Sequence, residues 1–119
     1  MSTLNINDLH TTAGIRHTLA RAWVNFVGTG IVTIRAANNV ASIADNGVGD
    51  YTVTFTVPLK DDFYAVLMGS GNQTSVPTTA TTRSFAVQSV SRSACRVFVG
   101  DNNTDAATDM AMISVVVLR

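Results

Sequence analysis

The residues of this sequence that could bind a cation lie in the run Asp101–Asp105, which reads DNNTD. Acidic and amide side chains at its alternate positions match the start of a calcium-binding EF-hand loop, D-x-N-x-D. The match fails further on, because Ala106 stands where that loop needs glycine and Met112 stands where it needs a bidentate glutamate. We therefore interpret the run as a polar turn, and we predict neither a metal site nor a bound cofactor.

Groups that could perform catalysis are also sparse. Two pairs of aspartates are close in sequence, Asp45 with Asp50 and Asp61 with Asp62. Aspartates at turns commonly accept hydrogen bonds from backbone N–H groups, whereas glycosidase chemistry needs two carboxylates facing each other across a cleft. Cys95 lies within an apolar alternation, far in sequence from both histidines, so we predict a buried and inert thiol. The chain is therefore predicted not to be an enzyme.

The composition indicates which elements position these side chains. All eight acidic residues are aspartate, and seven of the eight basic residues are arginine. Because glutamate and lysine are the usual residues of solvent-exposed helices, their scarcity favours strands and turns. The formal net charge of zero argues against a nucleic-acid partner. No apolar run is long enough for a transmembrane helix, so we expect no membrane insertion.

Alternation of apolar and polar residues predicts strands from residue 20 onward. The range Tyr51–Val57 alternates without a fault, and the Asn-Gly pair within Asp45–Asp50 predicts a tight turn before it. Polar loops are expected at 70–82 and 100–108. The other predicted strands cover 20–27, 31–35, 36–44, 63–68, 84–90, 95–99 and 110–118.

The number and spacing of these segments predict the fold class. About seven or eight strands at roughly ten-residue spacing are typical of an all-β protein, an antiparallel β-sandwich that is jelly-roll-like or barrel-like. We assign this domain to residues 19–119. Residues 1–18 are polar and carry both histidines, so we predict a short N-terminal arm there that serves as an attachment segment.

The final strand is apolar on both faces, since residues 113–118 read ISVVVL. Such a strand is either central within its own domain or covered by another chain, and both interpretations stay open at this point. Two aromatic side chains fall out of phase with the apolar residues of their own strands, which favours contact with another subunit. We therefore predict partner contacts at Trp23, Phe98, Ile113, Val115 and Val117.

Three segments resemble a known module. They are Arg21–Gly30 (RAWVNFVGTG), Asn39–Val53 (NVASIADNGVGDYTV) and Phe63–Val66 (FYAV). Together they are similar to a module that recurs in bacteriophage virion proteins, mostly tail-fibre-like proteins, where it reads approximately KAWVNFNGTG, then NVSSITDNGTGDYTVNF, then a Tyr-Ala-Val strand. The resemblance is strong over residues 20–66 and diffuse beyond them.

This resemblance implies a structural protein of a virion, made in the cytoplasm of the host bacterium. A chain of 119 residues is too short for a long fibre shaft. It suits a tail-fibre knob, a short fibre, a tail-tip piece or a head decoration protein. The resemblance further implies a homotrimer that binds other virion proteins and contacts a host surface glycan or protein. The alternative is a carbohydrate-binding β-sandwich module without catalysis, in which aromatic side chains form a sugar platform.

Overall fold

The alternation seen in the sequence becomes strands in the computed structural model, which describes residues 9–10, 16–17, 19–71, 83–88, 91–102 and 104–119. Two short strands, β1 (Leu9–His10) and β2 (Arg16–His17), pair with each other antiparallel. The rest of the predicted arm and residues 72–82 of the predicted polar loop lie outside the described residues.

Eight longer strands follow, and their bounds are close to the predicted ones. They are β3 (Ala20–Val27), β4 (Thr33–Asn38), β5 (Val40–Gly47), β6 (Asp50–Phe55), β7 (Ala65–Gly71), β8 (Arg83–Gln88), β9 (Ala94–Asp101) and β10 (Met112–Leu118). They form two antiparallel sheets: sheet one has the order β4-β3-β10-β7, and sheet two has the order β5-β6-β9-β8. The described residues include no helix, and the predicted all-β sandwich is confirmed.

The hydrophobic core lies between the two sheets, because the central strands of each sheet turn alternate residues toward the other. Phe26 of sheet one meets Tyr51 of sheet two edge to face, with ring centroids 5.1 Å apart, a geometry that aromatic pairs prefer. Strands β3, β10, β6 and β9 supply most of the buried side chains, which are Ala22, Val24, Phe26, Ile113, Val115, Val117, Tyr51, Val53, Phe55, Cys95, Val97 and Val99.

The chain passes from sheet one to sheet two through a single residue, Asn39, which has a left-handed φ of 55°. Its side-chain Nδ2 donates to the carbonyl oxygens of Arg21 and Val57, both at 3.1 Å, and its Oδ1 accepts from the Val57 N–H at 2.7 Å. Because Thr56 and Val57 bond to Asn39, they leave the ladder of sheet two. This is why β6 ends at Phe55 rather than at Val57, where the alternation predicted its end.

The predicted turn between β5 and β6 is confirmed. Its backbone requires positive φ at two glycines, Gly47 at 140° and Gly49 at 64°, a region that glycine enters without steric cost. Oδ1 of Asp45 accepts a hydrogen bond from the Gly47 N–H at 3.1 Å. The aspartate therefore caps the turn, as turn aspartates commonly do.

Candidate functional site

The outer faces of the two sheets differ in chemistry. An antiparallel sheet that has one solvent-exposed face usually carries polar residues on that face. The outer face of sheet one instead carries apolar side chains on three of its four strands, β3, β10 and β7. We call this surface the apolar face, and it consists of Trp23, Val27, Ala65, Leu67, Met112, Val116 and Leu118.

The centre of the apolar face is a row of three side chains in direct cross-strand register. Val116 of β10 is opposite Trp23 of β3 on one side and Leu67 of β7 on the other. Opposed residues in antiparallel sheets have Cβ atoms about 5 Å apart, so the three side chains form one continuous patch. Trp23 is 38% exposed and Leu67 is 57% exposed. A large apolar area therefore faces outward at the middle of the sheet.

The polar atoms beside this row are paired with each other. Nδ2 of Asn25 donates to Oγ of Ser114 at 2.9 Å, and these two residues are opposed in the register of β3 and β10. A polar group that already has a partner costs less to remove from water than one without. Among the described residues of β3 from Trp23 onward, of β7 and of β10, no side chain on this face is charged. The face is thus suited to contact with an uncharged surface.

The outer face of sheet two is polar. Arg96 of β9 donates from Nε and Nη2 to the two carboxylate oxygens of Asp50 at 2.8 and 2.6 Å, and this bidentate pairing lowers the pKa of Asp50. The Arg96 guanidinium also lies 5.2 Å from the ring centroid of Phe98, in cation–π contact. Thr52 and Thr54 of β6 complete the central part of this face.

The structure separates the five predicted contact residues. Trp23 is on the apolar face and Phe98 is half-buried beneath Arg96 on the outer face of sheet two, so a partner contact at either stays a prediction. The prediction for Ile113, Val115 and Val117 is wrong. Their side chains are at most 1% exposed and fill the core of their own domain.

The alternate residues of the same strand point outward instead. One side of β10 fills the core, and the other side lies in the middle of the apolar face, so the strand is mostly apolar on both sides. Sequence reasoning found the two-sided strand but named the residues that face its own core. The outward-facing residues that it did not name are Val27, Ala65, Leu67, Met112, Val116 and Leu118. No local signal finds them, because the outward side of β10 and β7 is fixed by the register of β10 with β3 and β7.

The glycines and the tyrosine of the recognisable motifs meet at one point inside the sandwich. The Tyr51 hydroxyl lies 2.8 Å from the Gly28 carbonyl oxygen and 2.6 Å from Oδ1 of Asp109. The same Asp109 oxygen accepts the Gly49 N–H at 2.8 Å. Burial first, and the adjacent Asp109 carboxylate second, raise the pKa of Tyr51 well above its usual value. These motif residues therefore connect β3, β6 and the segment before β10.

The titratable side chains of the described residues bear on metal binding and on the predicted inert thiol. No group of three histidine, cysteine or carboxylate side chains among these described residues is placed to hold a metal. Cys95 is buried in the core, as predicted, and burial raises its pKa to about 11. Within the same described residues, no helix is long and apolar enough to cross a membrane.

Comparison of the chain with protein-family models found no match. Searches of curated proteins and of solved structures likewise found no similar protein.

Proposed function

We propose that this chain is a small structural subunit of a bacteriophage virion, assembled as a homotrimer. It would serve as a tail-fibre knob or as a head decoration subunit that attaches to the particle and contacts the host surface. The observation that carries the proposal of assembly is the uncharged row Trp23, Val116 and Leu67 at the centre of the apolar face. The other two copies of the chain in the trimer are the occupants that we propose for this face.

Charge supports copies of the chain as the occupants. The chain has eight acidic and eight basic residues and no net charge, so copies do not repel each other as they approach. The apolar face presents no charge that a partner of opposite sign would neutralise. Removing apolar side chains from water is the main driving force for such association. Charged side chains are depleted at the centres of protein interfaces, as they are on this face.

The resemblance to virion proteins supports a virion as the assembly to which this subunit belongs. It rests on residues 21–30, 39–53 and 63–66. The structure gives these segments a shared framework: they supply β3, the crossover at Asn39, the β5–β6 hairpin and the start of β7. A β-sandwich of this kind is suited to a subunit that is held in place by its neighbours.

A carbohydrate-binding module is the second candidate function. It is favoured by exposed aromatic side chains, since Phe63 is 80% exposed and Trp23 is 38% exposed. Aromatic rings exposed on a sandwich can stack on sugars. Binding to a glycan array by a monomeric chain would support this candidate over the virion subunit.

The virion proposal is tested on purified particles of the phage whose genome encodes this chain. Quantitative mass spectrometry of the particles should find the chain in a fixed ratio to the capsid protein. Immunogold electron microscopy should then place it on the head or the tail. A chain that is abundant in the lysate but missing from purified particles would contradict the proposal.

A further inference from the structure

At one end of the sandwich, away from the centre of the apolar face, there is a cavity of about 450 Å³. That volume is within the usual range for small-molecule sites, about 300–1,000 Å³. The cavity lies where β3 begins, β6 has ended and β10 ends. Its lining residues are Arg21, Asn39, Val57, Pro58, Leu59, Lys60 and Arg119.

The charge of this lining is all of one sign. Arg21, Lys60 and Arg119 are three of the eight basic residues of the chain, and none of the lining residues that the structure describes is acidic. Val57 and Pro58 give the cavity an apolar wall beside these cations. A cavity with one cationic and one apolar wall fits a small organic molecule that carries an anionic group.

The three cations are held to different degrees. Arg119 donates from Nε and Nη2 to the two oxygens of Asp61 at 2.9 and 2.8 Å, which fixes the plane of its guanidinium group. Nε of Arg21 donates to the main-chain oxygen of Arg119 at 3.0 Å. Lys60 is exposed, and its charge helps to lower the pKa of the adjacent Asp61 carboxylate. Its ammonium group is therefore the cation of the lining that a ligand reaches from solvent.

The walls of the cavity are built before any ligand arrives. The Asn39 side chain bonds to the backbone of both Arg21 and Val57, so it ties together two segments of the wall. Leu59 donates its N–H to the Arg92 carbonyl at 2.9 Å and accepts from Nε of Arg92 at 2.9 Å. A site formed in advance loses less conformational entropy on binding.

We propose that this cavity binds the carboxylate or phosphate group of a small organic anion, with Lys60 and the guanidinium groups of Arg21 and Arg119 facing the anion. The apolar wall at Val57 and Pro58 would take the remainder of the ligand. The site is formed within a single domain, so it requires neither an oligomer nor a virion.

Lys60 is the single lysine of the chain, which gives a selective probe. Reductive methylation with ¹³C-formaldehyde keeps its charge and yields one side-chain NMR resonance, while the N-terminal amine supplies an internal control. Glucuronate, glucose 6-phosphate and inorganic phosphate separate carboxylate from phosphate ligands, and glucose is the neutral control. We expect a saturable shift of the Lys60 resonance with at least one anion, at a Kd of about 0.1–10 mM. The shift should weaken as ionic strength rises.

Two variants of equal charge change complete the test, with the backbone amide resonances of Val57, Leu59 and residue 60 as the readout. Lys60→Gln should weaken binding of the anion by about three- to ten-fold. Arg35→Gln removes a cation on β4 outside the cavity lining and should change binding by less than about two-fold. The proposal is overturned if no anion gives a saturable shift, if glucose binds as well as the anions, or if both variants weaken binding equally.

Discussion

The Tyr51 hydroxyl lies 2.6 Å from Oδ1 of Asp109, a residue 58 positions later in the chain. The contact joins the first strand after the tight turn to the segment that leads into β10, at the end of the core where Gly28 and Gly49 also meet. A buried hydroxyl between two oxygen acceptors is costly to remove, because its partners stay behind without water.

Tyr51→Phe should therefore lower the free energy of unfolding by about 1–3 kcal/mol, although the ring and its packing on Phe26 are kept. Urea denaturation monitored by circular dichroism measures the change. A double-mutant cycle with Asp109→Ala, which removes the acceptor oxygen, isolates the contribution of the pair. Additive effects of the two substitutions would contradict a direct coupling between these side chains.

Gly28 is predicted to tolerate no side chain. A Cβ atom there would lie 2.6 Å from Cδ1 of Ile113, 2.7 Å from the Tyr51 hydroxyl and 2.8 Å from the Met110 carbonyl oxygen. Gly28→Ala should destabilise the domain by about 1–3 kcal/mol, because the Met110 backbone has to move. Thermal unfolding measures the loss.

Gly69 provides the matched control, since a Cβ atom at that position meets nothing within 4 Å. Gly69→Ala should leave the stability unchanged or raise it by about 0.4–1 kcal/mol, because alanine restricts the unfolded chain. Equal losses for the two glycine variants would contradict the steric explanation at Gly28.

The thiol of Cys95 should be unreactive in the native protein. It is fully buried, and burial raises its pKa to about 11, so both access and thiolate formation oppose reaction at neutral pH. Ellman's reagent should label less than about a tenth of the protein in buffer over an hour and all of it in denaturant. Rapid labelling of the folded protein would show that the core opens more readily than its packing indicates.

The Asp61–Arg119 pair predicts a dependence of stability on pH. Hydrogen bonds from Arg119 lower the pKa of Asp61 from 3.8 to about 2. A lowered pKa in the folded state means that the pair stabilises the fold fully above pH 4, and that this stabilisation is lost as the pH falls toward 2. Asp61→Asn should lower the melting temperature at pH 6, and the difference from the parent chain should close between pH 4 and pH 2.

Asp62→Asn is the control for this experiment, because it removes the same charge from the adjacent position. Its melting temperature should differ less from that of the parent chain at pH 6, since no hydrogen bond of its carboxylate to Arg119 is lost. If the difference in melting temperature between Asp61→Asn and the parent chain persists unchanged at pH 2, ionisation of Asp61 is excluded as its cause.

The fold class follows from the sequence because the alternation of β6 and the glycine-rich turn before it are local signals. The Asn-Gly turn, the strand after it and the burial of Cys95 were all predicted from neighbouring residues alone. The pairing of β10 between β3 and β7 is a long-range relationship that no local pattern encodes. Whether Val115 or Val116 faces the core depends on this pairing, and a shift of one residue exchanges the two faces.

The apolar face and the cavity at Lys60 were predictable to different extents, because local patterns indicate the phase of some strands but not which segments meet in the fold. Trp23 falls out of phase within its own strand, so its outward position could be predicted. Leu67 belongs to a strand with apolar residues at successive positions, Val66, Leu67 and Met68, which gives no phase. The cavity at Lys60 is built from four separate stretches of chain, and only the folded structure brings them together.

The mass of the chain in solution tests most directly whether it is a subunit of an assembly held by its apolar face. Multi-angle light scattering should give about 38 kDa, three copies of the 12.6 kDa chain, at micromolar concentration. Leu67→Asp on β7 should weaken association by about ten-fold or more, because it places a charge at the interface. Ala86→Asp, on the exposed edge strand β8 of sheet two, should leave association unchanged. A 12.6 kDa monomer for the parent chain, or dissociation by Ala86→Asp alone, would contradict the account.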